Sequence, residues 1–393
     1  MGLLLAATGC EFIEIADDTV DTDTDVVPGP LDPTEIDPGG DPTQPIEVDP
    51  LTTDASGWTW GRHPCVGHRT DTMVRDANDR YWIGCGSTAE GNGLFYSDDE
   101  GQTWLTPVTE PAAYFDRYRV NDLWIAPSGL LYAAGRNTGI DARNRDGIVA
   151  VSTTLSPTPV DTVFEIGDEI WNSFPVGTYR ADADGVEVAE SLTGIDLMIR
   201  EPGGPWENGV PWTPSGEGFQ LLDMEVHDGD LYGCGSTINQ PPTVFVPIPE
   251  ATIPFVLQDV PLASSFTGEL WDLVVDDRGV LAVGVDQDAD VGILVMSDGG
   301  DPQDPSSYSG IRLDSWFSQA TWLQGVCRRG DEIVAVGRYS RTDNALALRS
   351  TDGGQSWEDI TPDDTPALYV CEIREDGRLV VTGAEGVFGV RTP

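Results

Sequence analysis

With 67 acidic residues no single carboxyl pair stands out, but three short stretches gather residues whose types and spacing suit metal or acid–base chemistry. HPCVGH (63–68) holds two of the three histidines, and His63, Cys65 and His68 are close enough to share a metal ion. The competing reading of Cys65 is a disulfide or a buried thiol, as suits an oxidising compartment. DQDADVG (286–292) sets Asp286, Asp288 and Asp290 at alternate positions, a spacing that can converge on calcium. Val291 stands where such a loop needs glycine, and Ser297 where it needs a bidentate glutamate, so a plain acidic loop competes with the calcium reading. The third stretch occurs twice. SDDEGQTW (97–104) and STDGGQSW (350–357) share one template: Ser, any, Asp, any, Gly, any, Thr or Ser, Trp. Its carboxylates, Asp99 and Asp352, are candidates for chemistry or for architecture.

Composition narrows the partners. The 393 residues are 39% hydrophobic, enough to bury a large core. The net charge is -46, and the 21 basic residues are all arginine. Such acidity excludes nucleic acid and electrostatic docking on anionic membranes, and it favours solubility. No segment is long and apolar enough to span a membrane.

The chain opens MGLLLAATGC, a short apolar run followed by small residues and a cysteine. Ala7-Thr8-Gly9-Cys10 resembles the lipobox of bacterial lipoproteins, which implies a signal segment over 1–10, lipidation at Cys10, and a signal start lying further upstream. Residues 11–56 carry 14 acidic residues and no arginine, with DTVDTDTD at 18–25 and seven prolines from Pro28 to Pro50. Such a segment cannot bury enough apolar surface to fold, so a disordered acidic tether is expected.

From residue 57 the text becomes short apolar runs broken by Gly, Asp and Asn. One unit recurs: apolar run, tight turn, second apolar run, small residue, Gly. IAPSGLLYAAG (125–135), VVDDRGVLAVG (274–284), RRGDEIVAVG (328–337) and EIREDGRLVVTG (372–383) are clear copies. Their turns suit tight hairpins. Gly86, Gly135, Gly235, Gly284, Gly337 and Gly383 close the copies, with gaps of 49, 100, 49, 53 and 46. The gap of 100 predicts a hidden copy, and GDEIWNSF (167–174), with Phe174 in the glycine slot, is the candidate. The expected fold is therefore all-β: a seven-bladed β-propeller of four-stranded antiparallel blades over 57–393. The last copy supplies only three strands. SGWTWGR (56–62) echoes the GQTW of the repeated template, so the N-terminal strand is expected to complete the last blade and close the ring. Cys327 and Cys371 fall in similar slots of adjacent copies and can bridge, whereas Cys85 and Cys234 stand three blades apart.

SxDxGxTW resembles the Asp-box of sialidases and related propellers. The resemblance implies a hairpin between the third and fourth strands of a blade, away from the catalytic face. Ser97, Asp99, Gly101, Thr103 and Trp104, with Ser350, Asp352, Gly354, Ser356 and Trp357, then take structural roles. The carboxylates staple turns, the glycines relieve strain, and the tryptophans wedge between blades. Met296-Ser297-Asp298-Gly299-Gly300 keeps part of the box, Arg180–Gly185 keeps a hint, and VSTTLSPT (151–158) has lost the Asp. A sialidase also needs three substrate-clamping arginines, a tyrosine nucleophile and its glutamate. The Arg-Ile-Pro stretch is absent, and Tyr118-Arg119 or Arg338-Tyr339 are only generic pairs.

Two segments read as inserts, 193–219 and 238–268, carrying Trp206, Trp212, Phe245 and Phe255. Exposed, these aromatics form a binding rim; buried, they pad between blades. The expected function is a monomeric, lipid-anchored extracytoplasmic module that binds a protein or glycan without catalysis, touching the membrane only through its anchor. The alternative is a sialidase-like or other glycoside hydrolase. No cofactor is expected beyond the calcium reading of Asp286, Asp288 and Asp290.

Overall fold

The computed structural model describes residues 45–46, 48, 51–54, 56–65, 67, 69–85, 93–110, 118–137, 147–152, 163–170, 176–181, 184–191, 197–209, 219–237, 241–248, 257–262, 266–297, 299–315 and 320–393. They form strands and short 3₁₀ turns gathered into seven small sheets. Blade 1 has Thr70–Arg75, Tyr81–Cys85 and Leu94–Ser97, with Leu105 bridging Tyr96 at its outer edge and Trp104 pairing with Ile46. Blade 2 has Tyr118–Ile125, Leu131–Asn137, Gly147–Ser152 and Val163–Ile170, and Val108–Glu110 adds a parallel strand outside them. Blade 3 has Val176–Ala181, Glu187–Ser191, Leu197–Arg200 and Glu207–Gly209. Blade 4 has Phe219–His227, Asp230–Thr237, Pro242–Pro247 and Leu257–Pro261. Blade 5 has Gly268–Asp276, Gly279–Asp286, Val291–Ser297 and Tyr308–Arg312. Blade 6 has Thr321–Arg329, Glu332–Tyr339, Ala345–Ser350 and Glu358–Asp359. Blade 7 has Leu368–Ile373, Leu379–Gly383 and Val387–Arg391, completed by Trp58–Arg62.

This is the seven-bladed propeller, closed as the SGWTW echo predicts. Trp58 pairs with Arg391 and Trp60 with Gly389. The first strand of each blade contacts the first strand of the next around the whole ring. Alternating side chains fill both faces of every sheet, so the apolar core divides into seven clusters. Each cluster lies at one blade junction, including that between blades 7 and 1.

The closing glycine has a steric cause. Every innermost strand carries a one-residue bulge against its neighbour, at the same place in all seven blades. The bulge pushes a carbonyl of the inner strand toward the slot that closes the second strand. A Cβ at Gly337 would lie 1.9 Å from the Trp322 carbonyl oxygen, and one at Gly383 1.9 Å from that of Ala367. Glycine is therefore the residue that fits with least adjustment.

The hidden blade is not where the repeat spacing places it. GDEI (167–170) belongs to the outer strand of blade 2, and blade 3 starts at Val176. Ser191 rather than Phe174 occupies the closing slot of blade 3, opposite Val176. Arg180–Gly185 accordingly leads into the first hairpin turn of that blade and is no relic of the box. The same misplacement made inserts of true strands. Residues 193–219 contain the third and fourth strands of blade 3, and 238–268 those of blade 4. The folded unit also begins before residue 57. Ile46 donates its N–H to Trp104, and Thr52–Thr53 pairs with Thr59 and Trp60.

Candidate functional site at the channel mouth

The bulges create a ring of side chains that the repeat alone does not announce. An extra residue bends a strand and re-aims its side chain. The seven bulged positions are Asp71, Asn121, Gly177, Leu222, Trp271, Gln324 and Tyr369. They stand at one level of the central channel, near the face where the inner strands begin, which we term the mouth. Their types are unlike one another, although their backbone geometry is shared. Asn121, Trp271 and Tyr369 reach toward the next blade. Trp271 meets Trp322 edge to face at 5.6 Å, and Tyr369 lies under the Arg69 guanidinium at 4.3 Å. Asp71 pairs with Arg69 and feels the charges of Arg136 and Arg119. Asn121 Nδ2 donates to the Val176 carbonyl at 2.7 Å. Arg338 stacks on Trp322 at 4.5 Å and pairs with Asp343. Asn121 and Gln324 are 7% and 8% exposed, and their amide oxygens have no partner among the described residues.

One residue further along, the inner strands are stitched to one another. Leu123 N–H donates to Thr72 Oγ1, Tyr179 N–H to Asp122, Leu273 N–H to Asp223, and Val326 N–H to Asp272. Donor and acceptor occupy equivalent rungs in all four cases, which fixes the inner strands as parallel and level. Arg180 bridges the acids, 2.5 Å from Asp122, 3.4 Å from Asp223 and 3.9 Å from Glu225. Trp124 supports it from one side, 5.0 Å from ring centre to guanidinium. One cation thus serves three carboxyls. Burial pushes Asp122 up to about 6 and Glu225 up to about 7, against the pull of Arg180. Asp272 is pushed well above the usual carboxylate range, first by burial and then by the Asp223 charge, so it keeps its proton and donates it to Asp223. The buried Cys234 thiol beside this pair is raised as well, chiefly by burial. A carboxyl pair in direct contact is closer than the roughly 5–10 Å that flank a glycosidic bond in hydrolases, and both members hold backbone N–H groups of the neighbouring blade.

The two boxes lie far out on blades 1 and 6, and their geometries coincide. Asp99 accepts from Ser97 Oγ at 2.9 Å, Thr103 N–H at 2.8 Å and Thr103 Oγ1 at 2.6 Å. Asp352 accepts from Ser350 Oγ at 2.9 Å, Ser356 N–H at 2.8 Å and Ser356 Oγ at 2.5 Å. Those bonds, led by the Ser356 hydroxyl, lower Asp352 to about 2. Gly101 adopts φ 85° against the Phe388 ring, and Gly354 adopts φ 88° against Met296. Trp104 is fully buried between blades 1 and 7, against His63 and Phe388. Trp357 is half-buried at the junction of blades 5 and 6. A related staple went unread in the sequence. Asp54 accepts from the N–H groups of Ser56 and Trp58 and from the Trp60 indole, and Asp76 does the same for Asn78, Arg80 and Trp82.

The remaining candidates scatter. Cys65 is bridged to Cys85, and Cys327 to Cys371. His63 is buried between Thr382 and Thr70 and is held down to about 3 by burial, with Arg62 adding to the effect. Asp286 is buried against Arg312, Asp288 is exposed, and Asp290 accepts from the Trp322 indole and Ser340. Phe245 is 1% exposed in the core of blades 3 and 4, so it belongs to no rim. Trp206 is half-buried with Arg200 4.8 Å over its ring. Trp212, Phe255, Cys10 and His68 lie outside the described residues. Among the described residues, only His227, Asp228 and Asp277 converge tightly enough to hold a metal ion, at two turns on the face opposite the mouth.

No family model and no curated protein matches this chain. Solved structures do. YCF48 bound to D1 peptide is similar at 13% identity and TM-score 0.58, over 88% of this chain and 100% of that one. A catalytically inactive virginiamycin B lyase from Staphylococcus aureus, solved with quinupristin, is similar at 9% identity and TM-score 0.58, over 86% of this chain and 99% of that one. The extracellular domain of BT4673 from B. thetaiotaomicron is similar at 13% identity and TM-score 0.54; the match covers 88% of this chain and 40% of that one. At such identities the likeness shows the fold alone.

Proposed function

We propose that this chain is a non-catalytic binding or scaffold module that takes a protein or glycan ligand at the mouth of its channel. The bulge ring carries the reading. Seven equivalent backbone positions hold a glycine and six different side chains, with Trp271 and Tyr369 half-buried and the Asn121 and Gln324 amide oxygens free of partners among the described residues. Architecture accounts for the bulges but not for that choice of residues. Aromatic surface flanked by a few convergent polar groups is the usual make-up of a ligand site. That YCF48 was solved with a peptide, on a ring of the same kind, supports a polypeptide ligand. Two disulfides suit an oxidising compartment. They support an extracytoplasmic chain; the lipid tether on Cys10 and the monomeric state belong to the same proposal and rest on the sequence alone.

The test is a peptide and glycan array probed with the labelled protein. Binding is expected to fall at least tenfold in Trp271→Ala and in Tyr369→Ala, and to survive Trp206→Ala. Equal binding by all three variants would remove the mouth from the account. A fluorogenic glycoside panel run beside the array tests the glycoside hydrolase reading, and turnover lost in Asp223→Asn would establish it.

A further inference from the structure

The channel below the mouth is rich in acceptors and short of donors. Asp122, Asp223 and Glu225 share the single Arg180, and the protonated Asp272 leans on Asp223. Two amide oxygens stand at the mouth, one on blade 2 and one on blade 6. Asn121 precedes Asp122 on the same strand, and both reach toward blade 3. Gln324 stands two residues before Val326, whose N–H Asp272 accepts. Both amides are nine-tenths buried, and neither oxygen has a partner among the described residues. The carboxyls are not sealed off, since Asp122, Asp223 and Glu225 keep 10%, 15% and 26% of their side-chain surface accessible.

The missing group must bring N–H donors and positive charge. A bare metal ion does not suit, because these oxygens do not converge as the His227 group does. A sugar brings hydroxyls but no charge. A guanidinium or ammonium on a long stem brings both, and a guanidinium spreads five donors over a width that a metal ion cannot span. We propose that the channel takes an arginine or lysine side chain of a partner polypeptide, which meets the accessible carboxylates around Arg180 and is received at the mouth by Asn121 Oδ1 or Gln324 Oε1. This rests on the mouth being the ligand site. The rim arginines do not bar the way: Arg69 is matched by Asp71 and Arg338 by Asp343, while Arg119 and Arg136 lie toward the Asp71 side. The field of a chain with net charge -46 draws a basic partner toward the molecule.

The test uses the full chain on a hexapeptide array in which one position is fixed as arginine, lysine, citrulline or norleucine. Agmatine serves as free competitor, and a neutral oligosaccharide array is run beside it. Arginine and lysine peptides are expected to bind about tenfold tighter than citrulline peptides. Agmatine competes, but more weakly than the peptides. Glu225→Gln, which stitches no blade, and Gln324→Met, whose lost oxygen has no partner among the described residues, each lower the preference several-fold. Calorimetry near pH 6.5 in buffers of different ionisation enthalpy reports proton release, since an incoming cation drives protons off Glu225 and Asp122. Equal affinity for arginine and citrulline peptides, lost in Trp271→Ala, overturns the cation inference and leaves the mouth standing. Binding that ignores Trp271→Ala overturns both. Binding to oligosaccharides without peptides, or to neither, overturns the cation inference.

Discussion

Between blades 1 and 2, 2 and 3, 4 and 5, and 5 and 6 the inner strands are joined at one rung, mostly by buried carboxyls that accept a neighbour's N–H, and Arg180 spans blades 3 and 4 by pairing with Asp223. From blade 6 through 7 to 1 the same rung holds Gly325 and Val370, which have no such side chain. A Cβ at Gly325 would lie 2.1 Å from the Tyr369 carbonyl oxygen, so the stitch has no room there. The joint is made otherwise. Cys327–Cys371 crosses blades 6 and 7. The closing strand and the Arg75–Glu372 pair, at 2.6 Å, hold blade 7 to its neighbours, and Cys65–Cys85 ties the link that follows that strand to blade 1. Covalent bonds therefore stand in the arc that contains the ring closure, and polar stitches in the rest of the ring. The carboxyl arc answers to protons and the covalent arc to reductant.

Removing the covalent joint has the largest expected effect. Cys327→Ser with Cys371→Ser releases a loop of 44 residues and should cost about 3–4 kcal/mol in denaturant unfolding. In the other arc Asp223→Asn comes next, at about 2–3 kcal/mol. It sets an amide N–H₂ against the donors of Arg180 and Leu273. The pH response follows. Asp122 and Glu225 bind protons more tightly in the folded ring than in the unfolded chain. Their contribution is therefore full near pH 4 and is lost as pH rises through about 6 and about 7. The midpoint of thermal unfolding should fall between pH 4.5 and 7.5, and Glu225→Gln should flatten the upper part of that slope. The box at Asp352 works in the opposite sense, since its stability is present above pH 4 and lost toward about 2. The smallest effect is expected for Asp272→Asn, below about 1 kcal/mol. Asp272 already behaves as a neutral donor to Asp223 and an acceptor from Val326, and an asparagine does both. A large loss there would mean that Asp272 is charged.

The ring was legible in the sequence because its steric demand is local. Gly135, Gly235, Gly284, Gly337 and Gly383 each face a carbonyl that excludes a side chain, and the turns before them need Asp and Gly. Ser191 fills that slot in blade 3, so the signal vanished there and GDEI drew attention one strand too early. The tryptophans of SGWTW carried ring closure because a strand completing a blade must match the outer edge it replaces. The mouth was not legible. Asp71, Asn121, Leu222, Trp271, Gln324 and Tyr369 share a backbone distortion and no residue type, so no pattern of types finds them. Their constant offset ahead of the closing slot is the signal that would have. Phe245 misled for the converse reason: an aromatic in a proline-rich stretch looked exposed, while the stretch was two core strands.

Hydrogen–deuterium exchange of the native and the reduced protein, under otherwise native conditions, tests the two-chemistry ring most directly. On reduction, protection should drop in the strands of blades 6 and 7 and in Trp58–Arg62, while the stitched amides of Leu123, Tyr179 and Leu273 stay protected. A uniform loss around all seven blades, or a loss that begins at those stitched amides, would contradict it.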